Sequence, residues 1–214
     1  MEQLVQLNSQ AKLSEHLALP SEVALSNLSE LNCVRLSPHF TLGELTKSSS
    51  HPEIYNIPSH EVIANLKRVC VWLEELRKRY NEFIHPAPNP APHMGGEYTS
   101  PSTPLLLGGG ARGGGDKARL QPIIINSGYR SPQLNRAIGG VPTSNHLTGC
   151  AVDIRVTGME QLIVYAAILI QYANETKQDF DELLIEKNAH GAIWLHFAIR
   201  PNSNRRKVSF LSTK

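Results

Sequence analysis

A pattern that occurs twice constrains this chain more than anything else in it. In Ala151-Val152-Asp153-Ile154-Arg155, strand alternation puts Ala151 and Asp153 on one face and Val152 and Ile154 on the other. Some forty residues on, Trp194, His196 and Ala198 alternate with Leu195, Phe197 and Ile199 in the same way. Each segment therefore asks for a sheet with one aliphatic face against a core. The other face carries a single polar side chain beside a small alanine. His146 precedes the first segment, in Ser144-Asn145-His146-Leu147-Thr148-Gly149-Cys150. His146, Asp153 and His196, with a fourth position left open, form the donor set that a catalytic zinc ion takes. Alone, each histidine would more often be structural.

The rest of the chain supplies what such a sheet would pack on. Val62, Leu66, Val69, Leu73, Leu76 and Tyr80 recur at three- and four-residue steps, with Lys67, Arg68, Glu74, Glu75 and Lys78 opposite. This predicts a core-facing helix over about 60–80. A second helix is predicted from Met159 to about Asn174, with Leu162, Ile163, Ala166, Leu169 and Ile170 inward. Thr41-Leu42-Gly43-Glu44 fits a capping box, stapled by Phe40, and predicts a short helix ending near Lys47. Pro122–Asn126, apolar on both faces, reads as a central strand, and Ser127-Gly128 turns the chain to present Tyr129 and Arg130. Phe180–Glu186 and Ala192–Arg200 read as two further strands around a turn. The expectation is an α+β domain: a small antiparallel sheet with helices packed on one side.

Residues 1–36 read as an arm or short helical segment, with Ser21 a cap for Leu25, Leu28 and Leu31, and 37–214 as the domain. Within it, 85–119 differs in composition: alternating prolines from Pro86 to Pro92, then two glycine triplets. That predicts a mobile insertion. It lacks the GK[ST] ending of a phosphate loop; either of its histidines, His85 and His93, could approach a metal, though surface histidines are far commoner.

Charge and cysteines exclude other classes. A net charge of +2 with scattered basic residues does not suit a nucleic-acid partner; Arg205-Arg206-Lys207 reads as a solvated tail. Three cysteines without CxxC pairing fit a reducing compartment rather than a disulfide framework. Cys150 is a thiolate candidate, but alternation points it away from the Asp153 face. No run reaches the roughly 20 apolar residues of a membrane span, and Met1-Glu2-Gln3-Leu4 lacks the features of a secretory signal. Synthesis in the cytoplasm follows.

Taken together, Ser127-Gly128-Tyr129-Arg130-Ser131-Pro132, Asn135, Gly139-Gly140, Ser144-x-His146-x-x-Gly149-x-Ala151-x-Asp153 and Trp194-x-His196 closely resemble the M15 family of zinc peptidases. These are D-alanyl-D-alanine carboxypeptidases and peptidoglycan endopeptidases with a hedgehog-like fold. The resemblance spans about 38–200, interrupted at 85–119. It implies that His146, Asp153 and His196 hold Zn²⁺, which polarises the scissile carbonyl and acidifies water. It implies that Arg130 contacts substrate and stabilises the developing oxyanion. Many members have an acid three positions before the last histidine; here that position is Ile193. The Phe180-Asp181-x-Leu183-x-Ile185-Glu186 segment resembles the branch with a glutamate on the preceding strand. Glu186 is thus the implied general acid/base, with Asp181 the runner-up and His190 third. The implied substrate is a peptidoglycan stem peptide or cross-bridge. With no signal sequence, the chain resembles a phage-type lysin, released to the cell wall by a partner. A zinc-bearing wall-binding or virion structural protein is the alternative that the missing acid motivates.

Overall fold

The computed structural model describes residues 33–86 and 120–212. The sequence expectations for 1–32 and 87–119, including the arm helix, His93 and nearly all of the insertion, lie outside the described residues. The elements run α1 (Leu42–Thr46), α2 (His60–Ile84), β1 (Ile125–Ser127), α3 (Pro132–Ala137), a 3₁₀ turn (Asn145–Thr148), β2 (Ala151–Arg155), α4 (Met159–Thr176), β3 (Glu182–Lys187), β4 (Ile193–Ala198) and β5 (Lys207–Ser212).

The architecture is α+β, but the sheet is mixed rather than wholly antiparallel. Its order is β1-β2-β4-β3-β5, and β5 runs parallel to β3. The sequence alone predicts no strand beyond β4 and a solvated tail at Arg205-Arg206-Lys207. Instead Arg205 clamps Asp181, whose side chain is fully buried, with Nη2–Oδ2 2.6 Å and Nε–Oδ1 2.8 Å. Arg200 adds a third cation contact at 2.7 Å. A carboxylate buried without partners is too costly to keep, so the basic run returns to neutralise it. In doing so it lays β5 along the sheet edge. A second correction concerns the isoleucine run. Only Ile125–Ser127 pairs, at the outer edge of the sheet rather than its centre, and Ile124 is exposed.

The aliphatic face of the sheet forms the core. Val152, Ile154, Leu195, Phe197 and Leu183 pack with Leu66, Val69, Leu73 and Leu76 of α2 and Leu162, Tyr165 and Leu169 of α4. Trp72 is the centre of an aromatic cluster with Tyr172, Phe180 and Phe197, at centroid distances of 4.8, 6.5 and 5.3 Å. Truncating a residue so buried costs about 3–5 kcal/mol. The α2 helix begins at a Ser59 cap and extends to Ile84, one turn beyond the expected end. In α4 the buried stripe is Leu162, Tyr165, Ile168, Leu169 and Ala173, and Ile163 is exposed. The inward face is therefore rotated from the expected one. Tyr165 takes the place assumed for Ile163, because its hydroxyl accepts from Gln161 Nε2 (3.0 Å) while its ring meets Tyr80 edge-on. The Thr41–Glu44 capping box forms as expected: Glu44 Oε2 accepts from the Thr41 backbone N–H (2.8 Å) and Thr41 Oγ1 from the Glu44 N–H (3.3 Å).

Candidate metal centre

The sheet face opposite the helices carries the polar side chains. Asp153 of β2 lies directly across from His196 of β4, and His196 directly across from Leu184 of β3. Cross-strand partners share a face, so Glu182 and Glu186, two residues either side of Leu184, share this face too.

His146 reaches the same point from the 3₁₀ turn. Two glycines make its position achievable. Gly149 ends the turn at φ 70°, and a Cβ there would meet Val62 at 2.8 Å. Gly128 lies so close to α1 that a Cβ would sit 2.3 Å from the Leu45 carbonyl oxygen. The Gly128 carbonyl is 2.6 Å from His146 Nδ1. Donation of the Nδ1 proton there leaves the Nε2 lone pair facing inward. The backbone N–H of Arg130 donates to the His146 carbonyl at 3.1 Å, locking the two motif halves together.

Three buried donor atoms converge. His146 Nε2 lies 3.3 Å from both His196 Nδ1 and Asp153 Oδ1, and His196 Nδ1 is 2.9 Å from Asp153 Oδ1. Such separations suit three ligands each roughly 2.0–2.2 Å from one ion, and two imidazoles with one carboxylate are a donor set zinc accepts. His146, Asp153 and His196 thus form a buried group able to hold a metal. The charges of the three groups are coupled. Burial disfavours the Asp153 carboxylate, but the two histidines outweigh it and hold its carboxyl far below the usual range. Burial lowers His146, only partly offset by Asp153. Burial also pushes His196 down, yet the Asp153 and Glu182 carboxylates lift it to about 9.

Arg130 is in the site, with a partner the sequence did not announce. Its Nη2 donates to Asp153 Oδ2 at 2.5 Å and its Nε to Ser127 Oγ at 2.8 Å. Asp153 is thereby divided, with Oδ1 toward the histidines and Oδ2 toward the guanidinium. Asn56 fixes the loop on either side of Arg130, donating to the Tyr129 carbonyl (2.7 Å) and accepting from the Ser131 N–H (2.6 Å).

The two glutamates differ sharply. Burial raises the Glu186 carboxyl above its ordinary value, and the charge of Asp153 adds to this. His196, Arg130 and the Trp194 indole N–H pull the other way, the last without closing to a full hydrogen bond. Glu182 is depressed to about 2 by His196, against burial, with help from Arg205 and Lys207. Of the remaining sequence candidates, Asp181 is in the ion-pair cluster just before β3. Its Oδ2 also accepts from Asn145 Nδ2 at 2.8 Å. His190 is exposed in the β3–β4 turn and His85 is exposed at the end of α2. Cys150 is buried with its thiol toward the Thr148 carbonyl, outside the converging group. Sequence reasoning missed Glu182, Asn145 and Asn56. Alternation along Glu182-Leu183-Leu184-Ile185-Glu186 would have found the first; nothing local marks the other two.

A family model described as Peptidase M15 matches residues 116–184, less than half of the chain. No curated protein matches the sequence. The family match supports an M15 family peptidase, and with it peptide-bond hydrolysis and metal dependence. It covers Arg130, His146 and Asp153 but stops before Glu186 and His196. Those two join the site through the pairing of β3 with β4 and of β4 with β2. Among the described residues no helix is long and apolar enough to cross a membrane.

Proposed function

We propose that this chain is a zinc-dependent peptidase of the hedgehog-like fold that hydrolyses peptidoglycan stem peptides or cross-bridges beside a D-amino acid. The observation that carries the reading is the convergence of His146, Asp153 and His196 on the open sheet face, with a carboxyl of raised pKa, Glu186, on the same face. Zinc held by these three ligands supplies Lewis acidity to the scissile carbonyl and lowers the pKa of the attacking water. Glu186 accepts the proton of that water and delivers it to the leaving amine nitrogen, a task favoured by a pKa nearer the working pH. Arg130 orients Asp153, and its remaining N–H groups donate to the carbonyl oxygen as charge develops there. Action on the cell wall after release by a partner completes the proposal.

A specific feature favours a second reading. Ile193 occupies the position where many M15 members have an acid, so a zinc-bearing wall-binding or virion structural protein is the competing reading. Metal content together with amine release from purified peptidoglycan, before and after chelation, separates the two. One zinc per chain with chelator-sensitive release supports the peptidase. Zinc without release supports the binding protein, and absence of zinc after supplementation overturns the ligand assignment.

A further inference from the structure

His196 has two ring nitrogens, and only one faces the converging donors. Nδ1 is 2.9 Å from Asp153 Oδ1, whereas Nε2 is buried without a hydrogen-bond partner. The carboxylate oxygen facing that nitrogen is Oε2 of Glu182, at 3.7 Å. The two oxygens of Glu182 are sorted by partner. Oε1 takes the cations, Arg205 Nη2 at 3.0 Å and Lys207 Nζ at 3.4 Å. Oε2 faces His196 and accepts from Asn145 Nδ2 at 3.0 Å. Asn145 adjoins His146, so one carboxylate touches both the last histidine and the turn that delivers the first.

We propose that Glu182 is a positioning residue for the metal centre: its Oε2 accepts the Nε2 proton of His196, which commits Nδ1 of that ring to the metal. The proposal rests on the reading of His146, Asp153 and His196 as ligands, and adds a residue outside that set. A ligating imidazole whose outer N–H is left unpaired in a buried site carries a desolvation penalty and an undetermined tautomer. A carboxylate there removes both and makes the ring a better donor, and loss of such an outer partner typically weakens metal binding about 10–100-fold. The ion pairs with Arg205 and Lys207 serve this end. They hold the Glu182 side chain against the β3 surface, so that Oε2 does not swing out to solvent.

The test is zinc affinity, measured on the full chain by competition with a chromophoric chelator, for the parent, Glu182→Gln and Glu182→Met. Glutamine retains an acceptor oxygen for the His196 N–H; methionine fills nearly the same space and has none. The expected order is parent, then Glu182→Gln within a few-fold, then Glu182→Met weaker by about 10–100-fold. The melting temperatures of the metal-free variants are compared first, and Glu182→Ala, which also lacks an acceptor, replaces Glu182→Met if the latter does not fold. Equal zinc affinity in the parent and the acceptor-free variant overturns the positioning role. Failure of the parent itself to bind zinc overturns the ligand reading instead, so the two failures are distinct.

Discussion

Glu182 and Glu186 stand at opposite ends of one side of β3, equally spaced from Leu184, and the structure treats them in opposite ways. Glu182 is surrounded by cations and held at about 2. Glu186 is half-buried, raised, and influenced by His196 and Arg130 only through space. Two carboxyls on one strand face thus acquire pKa values pushed apart by their surroundings, which is how acid–base roles are divided within a site. A carboxyl that never changes its charge suits orientation. One that is raised toward neutrality suits proton transfer. The strand delivers both to the same metal-binding group because its residues alternate with a period of two.

The largest test of this division is turnover. Glu186→Gln is expected to lower kcat by about 10²–10⁴-fold, the usual contribution of a positioned proton carrier, with zinc content unchanged. Glu182→Gln at saturating zinc is expected to lose far less, because its effect passes through metal affinity. Equal losses in the two variants would erase the distinction. Next in size is the ion-pair cluster that supports the Glu182 end. Asp181→Asn leaves the half-exposed Arg205 and the partly exposed Arg200 facing a neutral group and is expected to cost about 1.5–3 kcal/mol of stability, read from denaturant unfolding. The loss should shrink as pH falls below about 4 toward 2, where the parent carboxyl itself, held at about 2, takes up its proton.

The same contrast has a sign in thermal stability, measured with chelator present. Glu182 binds its proton less readily in the folded state, so it adds stability above its unfolded value near 4.5, and that stability is lost as pH falls toward about 2. Glu186 is raised, so the folded state favours its protonated form and loses stability as pH climbs from 4.5 through the folded value. At neutral pH, Glu182→Gln should therefore melt below the parent and Glu186→Gln above it. A Glu186→Gln variant that melts lower would mean that the carboxylate is stabilised there and unsuited to carrying a proton.

Much of this arrangement was legible in the sequence because it follows local rules. The period of two in β2 and β4 placed Asp153 and His196 on one face, and the capping box marked α1. What local rules could not supply was pairing. The register that sets Glu186 opposite Trp194 and Glu182 opposite Ala198 is a property of two strands together. The run leading into the strand at Lys207 looked like a tail because its basic residues are explained only by Asp179, Asp181 and Glu182, some twenty-five residues earlier. Ile163 and Tyr165 lie two positions apart on α4, and hydropathy alone favours the isoleucine. The hydrogen bond from Gln161 to the tyrosine hydroxyl, which a periodicity argument does not weigh, accompanies the opposite choice.

The smallest predicted effect probes what sets the acidity of Glu186. Trp194 is its cross-strand partner, and the indole N–H is buried without a full hydrogen bond. It favours the charged carboxylate and so opposes the upward push of burial and Asp153. Trp194→Phe keeps an aromatic ring on the strand and removes that N–H. The acid limb of the kcat/KM profile, already above 4.5 in the parent, should then move further up, with turnover at its optimum falling by less than about tenfold, the scale of one neutral hydrogen bond. The direction is the informative part. An upward move requires Glu186 to be the group that titrates in the limb, because the same substitution leaves the surroundings of Glu182 and its cations untouched. An unmoved limb assigns the titration elsewhere and reduces Trp194 to packing.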